Sequence, residues 1–343
     1  MKDIKEFTLE ELGDILKSWG KPLFHSRQIF SWIYKKGAQG FEKMSELPLD
    51  LRERLKENFD LFSFKLVKIL QSRDGTKKFL FALRDKNLIE AVTIPTEKRI
   101  TGCISTQVGC KFACRFCASG LLGFRRNLTC AEMIEEVLWL ENHSLDKKLT
   151  HIVFMGLGEP LDNYGNVIKA IRIINSKLGL NIAVRRITIS TCGIIPAIKK
   201  LPEEASQIEL SISLHAADDK TRTFLMPINR NYPLKDLMQA CKEYIKKTNR
   251  QITFEYVLLK GINSDLQNAL NLSKILKGLK LCKVNIIPCN YIKELNVEPP
   301  KKLEILLFRD YLLKAGIHVT LRKPRGEDIE AACGQLRLRY VKK

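Results

Sequence analysis

Cys110, Cys114 and Cys117 stand at C-x3-C-x2-C spacing in the run Gly109-Cys110-Lys111-Phe112-Ala113-Cys114-Arg115-Phe116-Cys117. On one short loop, each of the three can give a thiolate to the same metal centre. A zinc site normally completes its tetrahedron with a second Cys or His pair, and none is at hand, since Cys282 and Cys289 are too far apart. A [4Fe–4S] cluster asks only for thiolates, and three of them leave one iron open to a substrate or cofactor. The spacing favours iron–sulfur, with zinc as the alternative. Cys103 adds a fourth thiol to the crowd at residues 103–117. The chain opens Met1-Lys2-Asp3-Ile4-Lys5-Glu6, with acids where a signal peptide would be apolar, so a reducing, cytoplasmic setting is expected. There, ten cysteines point to metal binding or catalysis before a disulfide scaffold. Cys130, Cys192, Cys241, Cys282 and Cys289 are scattered and read as packing residues; Cys333 stands near the end.

The cysteine loop needs a frame, and the hydrophobic periodicity supplies one. Residues 1–62 read as helices. Thr8-x-x-Glu11 is a capping box, Gly37 stops a second helix and Pro48 opens a third. Three β-rich runs follow at 65–71, 77–83 and 88–94, with turns at Asp74-Gly75 and Asp85-Lys86-Asn87, which is the pattern of an antiparallel meander. From residue 100, strands at 100–105, 151–155, 186–190, 208–214, 252–259, 284–287 and 318–321 alternate with helices, one opened by a second capping box, Thr129-x-x-Glu132. That alternation implies an α/β fold with a parallel sheet, either doubly wound or a complete or partial barrel. In both, functional groups collect at the carboxyl ends of strands. The expected division is a helical domain at 1–62, a β-meander at 63–96, an α/β core at 97–335 and a basic tail at 336–343.

The chain has 343 residues, 45% hydrophobic and 28% charged, ordinary globular values that exclude disorder. No apolar run approaches the ~18 residues of a membrane span. With 58 Lys+Arg against 38 Asp+Glu, the net charge is +20. An excess of that size favours a partner carrying phosphates over small acidic metabolites, and a nucleic acid is expected.

The cluster loop, with Phe116 before its last cysteine, resembles that of radical S-adenosylmethionine (SAM) enzymes. Met155-Gly156-Leu157-Gly158-Glu159-Pro160 follows the second strand, where that superfamily's Gly-Glu motif holds the SAM amino group. Glycines admit a ligand close to the backbone, and a carboxylate suits an ammonium. Further motifs narrow the resemblance to the RlmN/Cfr family of RNA methyltransferases: residues Cys103-Ile104-Ser105-Thr106-Gln107-Val108-Gly109-Cys110, Gly123-Phe124-Arg125-Arg126-Asn127-Leu128, Ser213-Leu214-His215, Met226-Pro227-Ile228-Asn229 and 325–336. The resemblance covers nearly the whole chain.

It implies a partial (β/α) barrel with an amino-terminal helical domain, one [4Fe–4S] cluster per chain on Cys110, Cys114 and Cys117, and two molecules of SAM consumed per methylation. It further implies that one SAM methylates Cys333, and that a second yields a 5′-deoxyadenosyl radical that takes hydrogen from the S-methyl group. The methylene radical then adds to C2 of adenine. Loss of the C2 proton and attack by Cys103 on the Cys333 sulfur release the product and leave a transient disulfide. Adenine C2 is not nucleophilic, so displacement on SAM fails there while a carbon radical can add. Glu90 aligns with a family proton acceptor and competes with Cys103 for that role; its bland reading is a solvent-facing strand carboxylate. Gly158, Glu159, Ser190, Ser213, Leu214, His215 and Asn290 match SAM contacts. Substrates implied are 23S rRNA in the peptidyl-transferase region and the tRNA adenosine beside the anticodon. A flavodoxin or ferredoxin donor and a monomeric state are also expected. Cfr-like methylation at C8 is the near alternative, and a non-catalytic, zinc-stabilised RNA-binding protein is the alternative from another class.

Overall fold

In a computed structural model, the described residues are 1–62, 64–121, 123–144, 148–289, 297–322, 325–329 and 335–341. The amino-terminal helices are α1 (Leu9–Ser18), α2 (Phe24–Tyr34) and α3 (Leu49–Asn58). The expected capping box opens α1: Thr8 Oγ1 accepts from Glu11 N at 3.3 Å, and Glu11 Oε2 accepts from Thr8 N at 2.8 Å. Leu12 and Leu16 of α1, Ile29 and Ile33 of α2, and Leu51 and Leu55 of α3 are buried in a core continuous with that of the rest of the molecule. A buried ammonium seals the junction. Lys5 Nζ sits 2.9 Å from Asp3 and 3.0 Å from Glu135, while Glu6 Oε2 accepts from Ala131 N at 3.0 Å.

The remainder is built on one ten-stranded sheet. Its strands are β1 (Phe64–Gln71), β2 (Lys77–Leu83), β3 (Leu88–Pro95), β4 (Ile100–Cys103), β5 (His151–Phe154), β6 (Ile187–Thr191), β7 (Glu209–Ser213), β8 (Ile252–Leu258), β9 (Cys282–Pro288) and β10 (Val319–Leu321), and their order in the sheet is their order in the chain. Strands β4 to β10 pair in parallel; β1 to β4 pair antiparallel. The crossovers carry α4 (Cys130–His143), α5 (Tyr164–Asn175), α6 (Ile195–Ala205), α7 (Leu234–Thr248), α8 (Leu266–Leu276) and α9 (Lys302–Lys314). A doubly wound sheet reverses its strand order at a switch point, whereas here every crossover advances by one strand in the same direction. The fold is therefore the open, partial-barrel alternative, with its polar inner face lined from successive strands.

Two expectations at the margins change. The meander is not a separate segment, because β3 pairs with β4 from Val92↔Cys103 to Pro95↔Ile100 and extends the barrel sheet. The basic tail is helical over most of its length. In α10 (Gln335–Val341), Leu336, Arg337 and Leu338 are buried, so these residues belong to the core packing despite their basic neighbours.

Strand alternation sorts the side chains. Ile152, Phe154, Ile187, Ile189, Leu210, Ile212, Phe254, Tyr256, Val284 and Ile286 are buried in the helix-side core. The opposite face is polar: register aligns Ser213, Glu255, Asn285 and Thr320 in one row across four strands. Asn285 donates to Glu255 at 2.8 Å and accepts from Thr320 at 2.9 Å. Among the described residues no helix is long and apolar enough to cross a membrane.

Candidate active site

Cys103 ends β4, buried, on the inner face of the sheet. The chain then pairs briefly with itself, Gln107–Val108 against Arg126–Asn127, and the cysteine loop is the excursion between those two pieces. Gly109 has a φ of +82°, and a Cβ there would fall 1.8 Å from the Gly123 carbonyl oxygen, so only glycine closes the loop. Cys110, Cys114 and Cys117 are half-buried. The loop is tied inward: Cys117 N donates to Cys114 O at 3.1 Å, and Arg115 N donates to Leu225 O at 2.9 Å. Phe112, Cys114 and Phe116 pack on a small apolar cluster that includes Cys192, Leu225 and Met226.

Burial first, with the neighbouring Cys117 adding to it, pushes the Cys110 thiol up to about 12, and burial raises Cys114 as well. Three thiolates so placed call for a cationic group among them. Among the described residues no three His, Cys, Asp or Glu side chains form a cage for a single ion. A cluster binds each soft thiolate through a different iron. The donor set thus fits an iron–sulfur cluster, with all three ligands soft and on one loop.

Beside it, the turn after β5 is built to lie close to this loop. Gly156 N donates to Ile104 O at 3.0 Å, and a Cβ on Gly156 would meet the Ile104 carbonyl at 2.6 Å. Gly158, at φ +98°, leaves no room either: its Cβ would stand 2.5 Å from Gln107 Cβ. Glu159 is buried, and its carboxylate accepts from Leu161 N at 3.0 Å and from Cys192 N at 2.7 Å, which joins this turn to the end of β6. The Thr191 and Cys192 side chains donate to the same carboxylate. Burial raises the carboxyl's pKa.

The sequence reading passed over Gln107, although it lies within the motif that begins at Cys103. It is fully buried and uses every polar atom of its amide: Oε1 accepts from Glu159 N at 2.9 Å, and Nε2 donates to Asn127 and Asp162, both at 2.8 Å. Asp162 also pairs with Lys111 of the cysteine loop at 2.6 Å. The thiol loop and the Gly-Glu turn are therefore one hydrogen-bonded unit.

Successive strand ends complete the rim. Ser190 projects from the inner face of β6 and Ser213 closes β7; both are half-buried. Leu214 is buried, and its N donates to Glu255 O at 3.1 Å. His215 takes a left-handed φ of +54°. Its Nδ1 accepts from Val257 N at 3.0 Å, which leaves the ring proton on Nε2. Burial, helped by the Arg222 cation, lowers its pKa to about 3, so the ring is neutral. Its face meets Phe116 of the cysteine loop edge-on, with centroids 4.6 Å apart. Asn290 and Cys333 lie outside the described residues.

Glu90 is no solvent-facing carboxylate. It is 3% exposed, shares the inner face with Cys103, and pairs with the fully buried Lys78 at 2.9 Å. Its Oε1 accepts from Arg337 N, so the first turn of α10, which begins two residues after Cys333 in sequence, docks on this carboxylate. Ser105 Oγ donates to Glu90 O at 2.6 Å and accepts from Leu157 N at 3.0 Å, linking β3 to the Gly-Glu turn. The structure thus brings together the thiol loop, the Gly-Glu turn, the Ser213–His215 corner and, on the adjoining inner face, Cys103 and Glu90.

The chain is similar to known proteins over nearly its whole length. The radical SAM superfamily model matches residues 104–272, and the model of the ribosomal RNA large subunit methyltransferase N-terminal domain matches residues 2–61. A protein of Clostridium novyi (strain NT), described as "Probable dual-specificity RNA methyltransferase RlmN", is 47% identical over 343 residues, 100% of this chain and 99% of that one. A relative of the same description from Caldanaerobacter subterraneus subsp. tengcongensis is 45% identical, again over 100% and 99% of the two chains. The crystal structure of a radical SAM methyltransferase from Sphaerobacter thermophilus superposes with a TM-score of 0.94 at 41% identity, covering 98% of this chain and 99% of that one.

Proposed function

The chain belongs to the RlmN family of radical SAM RNA methyltransferases, and from that footing we propose that it methylates C2 of adenine in 23S rRNA and in the tRNA position beside the anticodon. Membership of the superfamily implies a [4Fe–4S] cluster and SAM. Cys110, Cys114 and Cys117 would hold the cluster, which when bound supplies the electron that cleaves SAM to a carbon radical. Gly158 and Glu159, with Ser190, Ser213, Leu214, His215 and Asn290, would hold SAM.

The observation that carries the reading is Cys103. It is a thiol the cluster does not need, set on the same inner face of the sheet as a buried, ion-paired carboxylate. Such a pair suits a reaction that removes a proton and then breaks a carbon–sulfur bond. Cys333 is the methyl carrier in this reading. Cys103, as thiolate, attacks the Cys333 sulfur; the S–S bond forms as the bond from sulfur to the product carbon breaks, that carbon takes a proton, and the odd electron left on the adenine by radical addition passes to a one-electron acceptor, the oxidised form of the redox partner. Glu90 accepts the C2 proton, its Lys78 partner holding the carboxylate in place at 2.9 Å. A thiol reductant then reopens the disulfide, and a flavodoxin- or ferredoxin-type protein donates the cluster's electron. The protein works in the cytoplasm as a monomer.

The test is anaerobic reconstitution followed by incubation with SAM, reductant and unmodified 23S rRNA or tRNA, with nucleosides read by mass spectrometry. We expect 2-methyladenine from the wild type and none from Cys333→Ala. Glu90→Gln should cut turnover about 100-fold or more, on the scale of a lost general base. Product methylated only at C8 overturns the regiochemistry, and methylation by Cys333→Ala overturns the carrier.

A further inference from the structure

The Met226-Pro227-Ile228-Asn229 run and the cation it holds have no part in the chemistry above. Arg222, in the short helix Asp219–Leu225, is 0% exposed. Its guanidinium donates to Cys192 O and to Asn229 Oδ1, both at 2.8 Å, to Leu214 O at 3.3 Å, and to Ser213 O and Tyr232 O at 3.4 Å. All five acceptors are neutral. Asn229 passes its own Nδ2 to the exposed Asp219 at 2.8 Å, so a carboxylate stands only one residue removed, at the surface. A guanidinium this far from water is unfavourable until an anion balances it. Hydrogen-bonded neutral groups alone do not supply that anion.

The cysteine loop is seated on this same segment. Arg115 N bonds Leu225 O, Cys114 packs with Cys192 and Leu225, and Phe116 rests on His215, the residue after the two carbonyls that Arg222 pins. A cluster core held by three thiolates is a net anion, and it becomes more so on reduction. We propose that Arg222, oriented by Asn229, is the fixed positive charge that balances the reduced cluster and so raises its reduction potential. The inference rests on the reading of Cys110, Cys114 and Cys117 as cluster ligands. Arg222 is a positioning residue in this role, since it acts on the cluster through space and on the Ser213–His215 corner through hydrogen bonds. The electron still comes from the external donor; the cation only makes its transfer less unfavourable.

The experiment is an EPR-monitored redox titration of the reconstituted protein with a chemical reductant, comparing wild type, Arg222→Gln, Arg222→Lys and Asn229→Asp. Asn229→Asp sets a carboxylate against the guanidinium without removing it, and serves if Arg222→Gln does not fold. We expect Arg222→Gln and Asn229→Asp to shift the midpoint to more negative potential, and Arg222→Lys, which keeps the charge, to stay near wild type. A residue that merely pins backbone carbonyls would leave the potential unmoved, so wild-type midpoints in the Gln and Asp variants, at equal iron and sulfide content, overturn the proposal. A wild type that takes up no iron and sulfide refutes the ligand reading instead, and that outcome is visible before any titration.

Discussion

At the scale of single residues, His215 makes the most direct statement about pH. Its Nδ1 is committed to Val257 N, and its pKa falls from 6.5 to about 3, chiefly through burial. Above pH 6.5 the folded and unfolded chains both hold the ring neutral. Below it, the unfolded chain takes up a proton that the folded one refuses, so stability is lost on acidification between about pH 6.5 and about pH 3. At pH 5.5 that loss amounts to about 1.4 kcal/mol from this residue. His215→Asn keeps an acceptor for Val257 N and tolerates a left-handed φ, so its melting temperature should fall less between pH 7.5 and 5.5 than that of the wild type; equal falls would contradict the assignment. Gly156 gives a harder constraint. A Cβ there meets backbone, the Ile104 carbonyl, which has no rotamer to yield. Gly156→Ala should therefore destabilise the protein by about 2 kcal/mol and weaken SAM binding at the adjoining turn, measured by thermal unfolding and by calorimetric titration with SAM. The thiols and glycines of this site were legible in the sequence because their spacing is itself the chemistry. Gln107 and Arg222 were not, since a buried amide or guanidinium is recognised by the backbone groups that converge on it, and those come from distant parts of the chain.

Among the elements, α4 shows how local rules set the frame. Thr129 Oγ1 accepts from Glu132 N at 3.2 Å and Glu132 Oε2 accepts from Thr129 N at 3.0 Å, the capping box legible in the sequence. Glu132 has a second task, a two-pronged pair with Arg126 at 2.8 Å on each side, which fixes the strand piece that returns from the cysteine loop. The helix start and the loop's exit are thus one structure. Thr129→Ala removes the cap but not the pair and should lower stability by about 1 kcal/mol, read as a shift in the denaturation midpoint at unchanged slope. The seven parallel strands were legible because apolar runs alternate with amphipathic helices. The choice between a doubly wound sheet and an open barrel was not legible in that alternation, since it depends on which side of the sheet each crossover takes, and it came from the family resemblance. The merging of the meander into that sheet rests on the β3–β4 pairing, and α10 hides its buried face among basic residues; neither leaves a local pattern in the sequence.

For the molecule as a whole, the surplus of positive charge is the property that no single site explains. Only part of it is spent internally: among the described residues Lys5, Lys78, Arg222 and Arg337 are buried, and most of the other cations lie at the surface, where their work is with solvent or a partner. An RNA partner gives that charge a measurable signature. Each phosphate neutralised by a surface Lys or Arg releases condensed counterions, so binding weakens steeply as salt rises; six such contacts predict a loss on the order of a thousandfold between 50 and 200 mM salt. SAM binding should behave differently. Its expected contacts are at buried or half-buried groups, Glu159, Ser190, Ser213 and His215, where added salt screens little. Measured on one preparation, the Kd for RNA by fluorescence anisotropy should climb through the salt series while the Kd for SAM stays within about twofold. If RNA affinity were flat across that series, recognition would have to rest on base contacts alone, and the surface charge would have no role in binding the substrate.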